Sequence, residues 1–245
     1  MLKFWKHSAH ELMRYLDREG GFLVVPSAPS LCLAAHDDEL WRSHLRADCA
    51  VVDSGFLKLL LLAKGELSLP RISGYQLIES LLAADPAVVP FHERRCLWVI
   101  PSEAERRRVQ ELLLSKGFSA SLQTYYLAPH YGTPADFQDE ALLAQAVEEK
   151  PDWIVICIGG GKQERLGSML RDTLGKRPVI LATGGAVAFF SGGQAPIPKI
   201  CDRLFLGWLV RILYEPKRFL PRYVSALYLP LALLRLKRTS EQGAY

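Results

Sequence analysis

The chain has 245 residues, 49% of them hydrophobic and 23% charged, which predicts a globular core, with or without an appendage, and excludes a disordered chain. Its five cysteines are odd in number and scattered, which predicts reduced thiols and argues against a disulfide framework or a structural zinc site. The net charge of +4 is concentrated in residues 203–245, whose eight basic and two acidic side chains favour an anionic partner, either a membrane or a nucleic acid.

Short apolar runs alternate with segments of helical periodicity along the first 183 residues. The predicted strands are Phe22–Val25, Cys49–Asp53, Cys96–Ile100, Ala120–Thr124, Trp153–Ile158 and Val179–Thr183. The predicted helices are Asp37–Arg46, Phe56–Lys64, Tyr75–Ala84, Ser102–Lys116, Asp136–Glu149 and Gln163–Leu174. Ser102 and Glu105 have the spacing of a capping box, which predicts the start of the fourth helix. Apolar strands separated by helices of this length predict the α/β class, with a parallel sheet covered on both faces.

A Gly/Pro-rich connector, SGGQAPIPK, ends at residue 199 and predicts a boundary between a core (1–199) and an appendage (200–245). The appendage is apolar, aromatic and basic, and its longest uncharged run, Tyr223 to Leu234, has 12 residues and contains a proline. A spanning helix needs about 20 residues, so we expect this segment to lie in the membrane interface. The alternative is a pair of helices packed on the core with solvated arginines.

Four predicted strand ends carry small or polar residues: VVPSAPS, VVDSG, IGGGKQE and ATGGA. In open α/β sheets, ligands bind outside the carboxyl ends of the strands. Glycines there allow backbone N–H groups to approach a phosphate, and a following helix N-terminus favours negative charge. These loops therefore predict a ligand that contains a diphosphate, although glycine pairs also occur in plain strand-to-helix turns.

Several common sites are excluded by the sequence. Walker A requires Ser or Thr after its lysine, but Gln163 follows Lys162, and no G-x-G-x-x-G follows the first strand. The six histidines lack metal-binding spacing, and no G-x-S-x-G elbow is present. The N-terminus has no long apolar run of the kind found in signal peptides, so a cytoplasmic protein is expected.

Two charged residues lie where a ligand is expected. Asp53 ends the second predicted strand, where a carboxylate could accept a proton from a substrate hydroxyl as a general base. It could instead cap the helix that begins at Phe56. Arg71 precedes a helix and could bind a phosphate through two hydrogen bonds, or could be a solvated surface charge.

Five segments, taken in order, resemble the WecG/TagA/CpsF family of bacterial glycosyltransferases, of the N-acetylmannosaminyltransferase type. VVDSG resembles p-D-G, RISGYQL resembles R-x-x-G-x-[DQ]-L, and PDWIVICIGGGKQE resembles p-D-x-v-x-v-g-l-G-x-P-k-Q-E. ATGGAVAFFSGGQAPIPK resembles g-v-G-G-x-f-D…G…R-A-P, and LGWLVRILYEPKRFLPRY resembles l-E-W-l-y-R-l-…-e-P-x-R-…-R-y. The segments keep their order and approximate spacing from about residue 22 to residue 223.

The resemblance implies a Rossmann-like, mostly parallel core with a C-terminal helical appendage that helps to bind the membrane and completes the active site. It implies an inverting, metal-independent and cofactor-free transfer of an N-acetylhexosamine-type sugar from a UDP-sugar. The implied acceptor is linked to polyprenyl diphosphate at the inner face of the plasma membrane, in cell-envelope or exopolysaccharide biosynthesis. By motif position, Asp53 is the general base. The implied nucleotide-sugar-binding residues are Ser27, Arg71, Gly159, Gly160, Gly161, Lys162, Gln163, Glu164, Gly184 and Gly185. The implied acceptor- or diphosphate-binding residues are Arg211, Arg218 and Arg222.

The chain departs from the family pattern at several of these places. Gly161 stands for the proline before K-Q-E, Ala188 for the aspartate after G-G-x-f, and Gln194 for the arginine of R-A-P. The T-x-N of the first strand end reads Val25-Pro26-Ser27, and the glutamate of l-E-W is Gly207. Two alternatives to an active enzyme stay open: a catalytically silent relative that binds nucleotide-sugar or lipid and organises envelope enzymes, and a basic nucleic-acid binder without a recognised motif. Whether the chain forms a homo-oligomer also stays open.

Overall fold

The structure, a computed structural model, describes residues 2–66, 68–194, 198, 200–201 and 207–242, without the side chains of 218, 222 and 237–242. The described residues form a six-stranded sheet of β1 (Gly21–Val24), β2 (Cys49–Ala50), β3 (Cys96–Ile100), β4 (Gln123–Leu127), β5 (Trp153–Ile156) and β6 (Val179–Ala182). All neighbouring strands are parallel, in the order β2-β1-β6-β5-β3-β4. The predicted α/β class is confirmed.

The first seven described α-helices begin where the sequence supplies a capping side chain. The described α-helices are α1 (Ala9–Glu19), α2 (Ala28–Ala34), α3 (Asp38–Leu45), α4 (Gly55–Ala63), α5 (Gly74–Ala83), α6 (Glu103–Ser115), α7 (Glu140–Glu149), α8 (Lys162–Leu174), α9 (Gly207–Tyr214), α10 (Pro216–Ala226) and α11 (Leu229–Gln242). The side chains that accept a backbone N–H at the starts of α1 to α7 are Ser8, Ser27, Asp37, Ser54, Ser73, Ser102 and Asp139. Each satisfies a donor that the helix itself leaves unpaired.

Several local predictions differ from the structure. The fourth strand begins at Gln123, because residues 120–122 form a 3₁₀ turn, and the helix expected from Asp136 begins at Glu140, after another 3₁₀ turn. The sequence did not predict α2, which accommodates a proline in its first turn, where no backbone N–H is needed. The Ser102 side chain caps α6 as expected, but the Glu105 carboxylate binds Arg108 and Ser191 instead of completing a capping box.

The sheet is buried on both faces, as its near-continuous apolar strands predict. Alternate strand residues such as Leu23 and Val155 pack with α1, α5 and α6 on one face. Their neighbours, such as Phe22 and Ile154, pack with α7 and α8 on the other face. The strands therefore form the centre of a three-layer core.

Connections leave neighbouring strands in opposite directions at the carboxyl end of the sheet. From β1 the chain passes into α2 and α3, which lie on the side of α8, whereas from β6 it passes into a 3₁₀ segment, Gly184–Phe189, against α5 and α6. The divergence leaves a crevice over the ends of β1 and β6. Such switch points are where open α/β sheets bind ligands.

The C-terminal helices α10 and α11 pack on α2. Ala226, Leu229 and Ala232 are buried in a cluster that also includes Leu31 of α2 and Leu57 of α4. Other large apolar side chains of α9 to α11 are exposed: Leu213, Tyr214, Leu220, Val224, Leu227, Tyr228, Leu231 and Leu234. One side of the appendage therefore belongs to the core, while another side presents apolar surface.

Within the described part of the chain, no single helix is both long and apolar enough to cross a bilayer. Residues Phe219–Ala226 and Leu229–Leu236 meet that criterion only as a pair, with a bend of 57° between them. The predicted interfacial position of the appendage and the division into 1–199 and 200–245 stay predictions. Residues 195–197, 199 and 202–206 around that boundary lie outside the described residues.

A close helix-to-sheet contact joins α8 and β1 at Gly167 and Phe22. A Cβ on Gly167 would lie 2.3 Å from Cε2 of Phe22, whose side chain is fully buried. We therefore expect Gly167→Ala to lower the free energy of unfolding by about 1–3 kcal/mol through overpacking, despite the better helix propensity of alanine. Ser168→Ala, in the same helix, removes a buried hydroxyl that has no partner among the described residues and should leave stability unchanged or higher. Denaturant unfolding of both variants checks this, and equal stability of Gly167→Ala and wild type would contradict it.

Candidate functional site

The four marked strand ends meet at one edge of the sheet, because β2, β1, β6 and β5 are neighbours in that order. The N-terminus of α5 lies against this edge: a Cβ on Gly74 would lie 3.2 Å from the Thr183 carbonyl oxygen and 3.7 Å from Cγ1 of Val25. A Cβ on Gly184 would lie 3.5 Å from Oε1 of Gln163. The structure therefore brings together the loops that the sequence analysis selected at the ends of β1, β5 and β6.

Two of the three glycines after β5, Gly159 and Gly161, differ in whether the fold would tolerate a side chain. Gly161 has a φ of +88° as the N-cap of α8, and a Cβ there would lie 3.1 Å from Cδ2 of Leu33. Gly159 is exposed and has no positive φ, and a Cβ there would meet no atom within 4 Å. The fold thus requires the glycine at Gly161 but not at Gly159. The open space beside Gly159 is available to a ligand.

Glu164 is fully buried and organises this loop from the inside. Its Oε2 accepts a hydrogen bond from the Gly161 N–H at 2.6 Å. Its Oε1 accepts from the Ser30 hydroxyl at 3.1 Å and from Nε2 of Gln163 at 3.2 Å. The structure therefore places Glu164 behind the glycine loop, where it ties α8 to α2.

The sequence analysis did not select two residues of this cluster, Ser30 and His44. Nδ1 of His44 lies 2.9 Å from the Leu40 carbonyl oxygen and must donate to it, while Nε2 lies 3.4 Å from Oγ of Ser30 and 3.9 Å from Oε1 of Glu164. Both Ser30 and His44 are buried. Ser30 lies in the quoted strand-end segment VVPSAPS, which is the only signal in the sequence that could have pointed to it.

Two buried polar groups in the crevice lack partners among the described residues. Oε1 of Gln163 and Oγ1 of Thr183 form no hydrogen bond there, although the side chains are only 4% and 6% exposed. Leaving such a group unpaired costs about 1–3 kcal/mol. Both are therefore polar atoms, in the segments that follow β5 and β6, that are enclosed by the protein and that the described residues leave unsatisfied.

Asp53 and Arg71 are brought together by an isolated parallel bridge between Val52 and Arg71. Oδ1 of Asp53 accepts from the Gly74 N–H at 3.0 Å, and Nε of Arg71 donates to the Asp53 carbonyl oxygen at 3.1 Å. Ser54, not Asp53, caps α4, because its Oγ accepts from the backbone N–H of residue 57. The interpretation of Asp53 as that cap is wrong. Its carboxylate lies instead at the N-terminus of α5, where the helix dipole favours negative charge.

An aromatic cluster connects this end of α5 to the appendage. The ring of Tyr75, the second residue of α5, stacks on Phe190 at 4.5 Å and contacts Phe189 edge-on at 6.2 Å between centroids. The guanidinium of Arg211 lies 4.8 Å from the centroid of Phe189, and its Nη1 donates to the Tyr223 hydroxyl at 3.3 Å. Arg211 is thus held near the crevice. The side chains of Arg218 and Arg222, on α10, lie outside the described residues.

The remaining predicted residues are distributed around the same edge. The Oγ of Ser27 caps α2 by accepting from the Ser30 N–H at 3.3 Å. Lys162 is the first residue of α8 and is partly exposed. A Cβ on Gly185 would lie 2.7 Å from Nε2 of Gln194, so this glycine gives space to the loop that follows β6. Among the described residues, no group of three or more His, Cys, Asp or Glu side chains is arranged to hold a metal ion.

Comparison with known proteins identifies the family of the chain. The model of the glycosyl transferase WecG/TagA/CpsF family matches residues 2–243. Curated relatives include the N-acetylglucosaminyldiphosphoundecaprenol N-acetyl-beta-D-mannosaminyltransferases of Staphylococcus aureus strains NCTC 8325 / PS 47, COL and MSSA476, each 31% identical over 91 residues. Each of these matches covers 37% of this chain and 35% of the relative. Because the family model covers nearly the whole sequence, the chain belongs to the WecG/TagA/CpsF family of glycosyl transferases.

Proposed function

We propose that the chain transfers an N-acetylhexosamine-type sugar from a UDP-sugar to an acceptor linked to polyprenyl diphosphate, in cell-envelope or exopolysaccharide biosynthesis. The observation that carries the proposal is the meeting of Asp53, the glycine loop and Arg211 at one edge of the sheet. The family membership and the acceptor named for the Staphylococcus aureus relatives support it. In this proposal the reaction is inverting and uses neither a metal ion nor a cofactor.

The donor diphosphate would be bound mainly by cations and not by the start of α8. Glu164 already takes the N–H of Gly161 and adds a negative charge at that helix terminus, which makes it a poor anion site. Lys162 begins α8, Arg71 is hydrogen-bonded to the Asp53 carbonyl and Arg211 lies against Phe189, and these three cations would neutralise the leaving diphosphate. Gln163 and Thr183 would supply hydrogen bonds to the polar part of the donor.

Asp53 would act as the general base. Its carboxylate would take the proton of the acceptor hydroxyl while that oxygen bonds to the anomeric carbon and the bond from this carbon to UDP breaks on the opposite face. One oxygen of the carboxylate is held by the N–H of Gly74, which fixes its direction. General-base catalysis of this kind contributes about 10²–10⁴-fold.

The open space beside Gly159 gives a direct test of the donor site. A valine there meets no protein atom, so Gly159→Val should fold with unchanged thermal stability. If the space holds the donor, calorimetry should show that UDP-sugar affinity falls about tenfold or more, which corresponds to at least 1.4 kcal/mol. Unchanged affinity in a folded variant would remove this loop from the donor site.

Asp53→Asn separates the enzyme from a catalytically silent relative. Asparagine keeps the acceptor for the Gly74 N–H but cannot take a proton at neutral pH, so turnover should fall about 100-fold or more. UDP-sugar affinity and melting temperature should change little. Retained turnover in this variant would show that Asp53 is not the base, and absence of turnover in wild type with UDP-N-acetylhexosamines and diphosphate-linked acceptors would favour the silent relative.

We also propose that the protein is peripheral at the cytoplasmic face of the membrane and binds it through the exposed apolar side of α9 to α11. Leu213, Tyr214 and Leu227 are 75%, 68% and 69% exposed, and the surrounding segment 203–245 is basic. Apolar side chains combined with basic residues are typical of interfacial binding. Deleting this segment would be a poor test, because Leu229 and Leu236 are part of the core.

Point substitutions test the membrane surface without that damage. Leu213→Asp with Leu227→Asp should strongly reduce flotation with vesicles of phosphatidylglycerol and phosphatidylcholine. Each change removes an apolar side chain that would enter the membrane interface and puts a negative charge in its place. The matched control is Leu114→Asp with Val147→Asp, which alters two exposed apolar residues elsewhere by the same charge. Added salt should weaken binding of wild type. Equal flotation of the two double variants would count against this surface.

A further inference from the structure

A groove of about 600 Å³ lies between α2 and the C-terminal helices and is assigned to none of the roles above. One wall is the α2 stripe of Pro29, Cys32 and Leu33, which continues to His36. These positions are separated by three or four residues and therefore share one helix face. The groove is mainly apolar and open to solvent, and its volume is within the range of small-molecule sites.

The opposite wall repeats the same spacing. Tyr228, Leu231 and Ala232 line it, and the stripe continues to Arg235. At one end the two stripes are joined, because Nη1 of Arg235 lies 3.0 Å from Nδ1 of His36. The result is a channel between two helix faces, apolar along its length and polar at that end.

The groove adjoins the glycine loop. The helix that forms its first wall begins at Ala28, a few residues after the end of β1. Leu33 contacts both spaces: it lines the groove, and its Cδ2 lies 3.1 Å from the position of a Cβ on Gly161. From Pro29 to His36 the first wall extends about 10 Å at the rise of an α-helix.

We propose that this groove binds the hydrocarbon chain of the diphosphate-linked lipid acceptor, close to the diphosphate end of that chain. The inference rests on the proposed function, because it takes the acceptor from there. A long apolar channel matches an extended hydrocarbon, and its position beside the glycine loop leaves the polar end of the acceptor at the crevice. The exposed Tyr228 and Leu231 place the open side of the groove on the apolar surface of the appendage, from which such a chain would enter.

Cys32 offers a probe of the groove that needs no turnover. It is partly exposed, and burial raises its thiol pKa, so alkylation should be slow at neutral pH and measurable near pH 9. Cys49, Cys96 and Cys157 are buried, which raises the pKa of the Cys49 thiol to about 11 and the pKa of the other two further. With Cys201→Ser as the background, the alkylation rate therefore reports on Cys32.

Farnesyl diphosphate, a short isoprenoid with the same head group, should slow the alkylation of Cys32 in a saturable way, about tenfold when its concentration reaches ten times its Kd. Inorganic diphosphate should not slow it. No protection by farnesyl diphosphate up to its solubility limit would overturn the proposal. Equal protection by inorganic diphosphate would also overturn it, because the slower alkylation of Cys32 would then result from diphosphate bound in the crevice and not from a hydrocarbon in the groove.

A matched pair of variants on α11 locates the effect. Leu231→Asp puts a charge in the groove and should abolish protection, whereas Leu234→Asp changes a leucine of similar exposure on the same helix that does not line the groove. Both variants should lose membrane binding to a similar extent. A difference in Cys32 protection between them can therefore not be attributed to membrane binding. If Leu231→Asp retains full protection, the chain binds elsewhere.

The kinetic counterpart distinguishes this proposal from the proposed function itself. Leu231→Asp should raise KM for an acceptor with a long isoprenoid chain about tenfold and leave KM unchanged for the same diphosphate-linked saccharide on a very short chain. Equal KM changes for both acceptors would overturn the groove while leaving the enzyme intact. Protection of Cys32 without turnover by wild type would support the groove and reject the enzyme.

Discussion

The buried carboxylate of Glu164 is the group on which the geometry of the candidate site depends. It accepts hydrogen bonds from three donors: the Gly161 N–H and Nε2 of Gln163, both close to it in sequence, and the hydroxyl of Ser30 in α2. A charge with no exposure requires such partners, because desolvation is costly unless hydrogen bonds replace the lost water. The imidazole of His44 lies beside the carboxylate, with Nε2 at 3.9 Å from Oε1. The glycine loop therefore has a fixed shape because a charged group beneath it must be satisfied.

The same interaction determines what kind of anion site the protein can offer. A helix start already occupied by its own carboxylate cannot attract a diphosphate by its dipole, so positive side chains must do so. Arg71 comes from the loop before α5, and Arg211 comes from the appendage through its contact with Phe189. The core alone therefore lacks part of the charge that the proposed donor requires. The appendage thus contributes Arg211 to the candidate site, in addition to the exposed apolar side chains that it presents.

The sequence predicted β1, β3, β5 and β6 well because each is an apolar run buried on both faces, which needs no knowledge of distant contacts. It missed α2, whose Pro29 suggests a loop, and it placed β4 early because residues 120–122 are as apolar as a strand end. The predicted site residues gathered at one sheet edge, yet their individual roles did not follow from local pattern. Whether Asp53 or Ser54 caps α4 depends on a bridge to a segment about 20 residues later, and the burial of Glu164 depends on a hydroxyl 134 residues away.

The shortness of α2 has a consequence for how the glycine loop and the groove are connected. The helix has seven residues and a length of about 10 Å, so both of its turns belong to one short element. Its first turn holds Ser30 against the carboxylate beneath the glycine loop, and its second turn presents Cys32 and Leu33 to the groove. A shift of α2 that widens the groove must also disturb the glycine loop. If occupation of one space shifts α2, it changes affinity in the other space by an equal factor in both directions, so the Kd measured for one ligand would depend on the presence of the other.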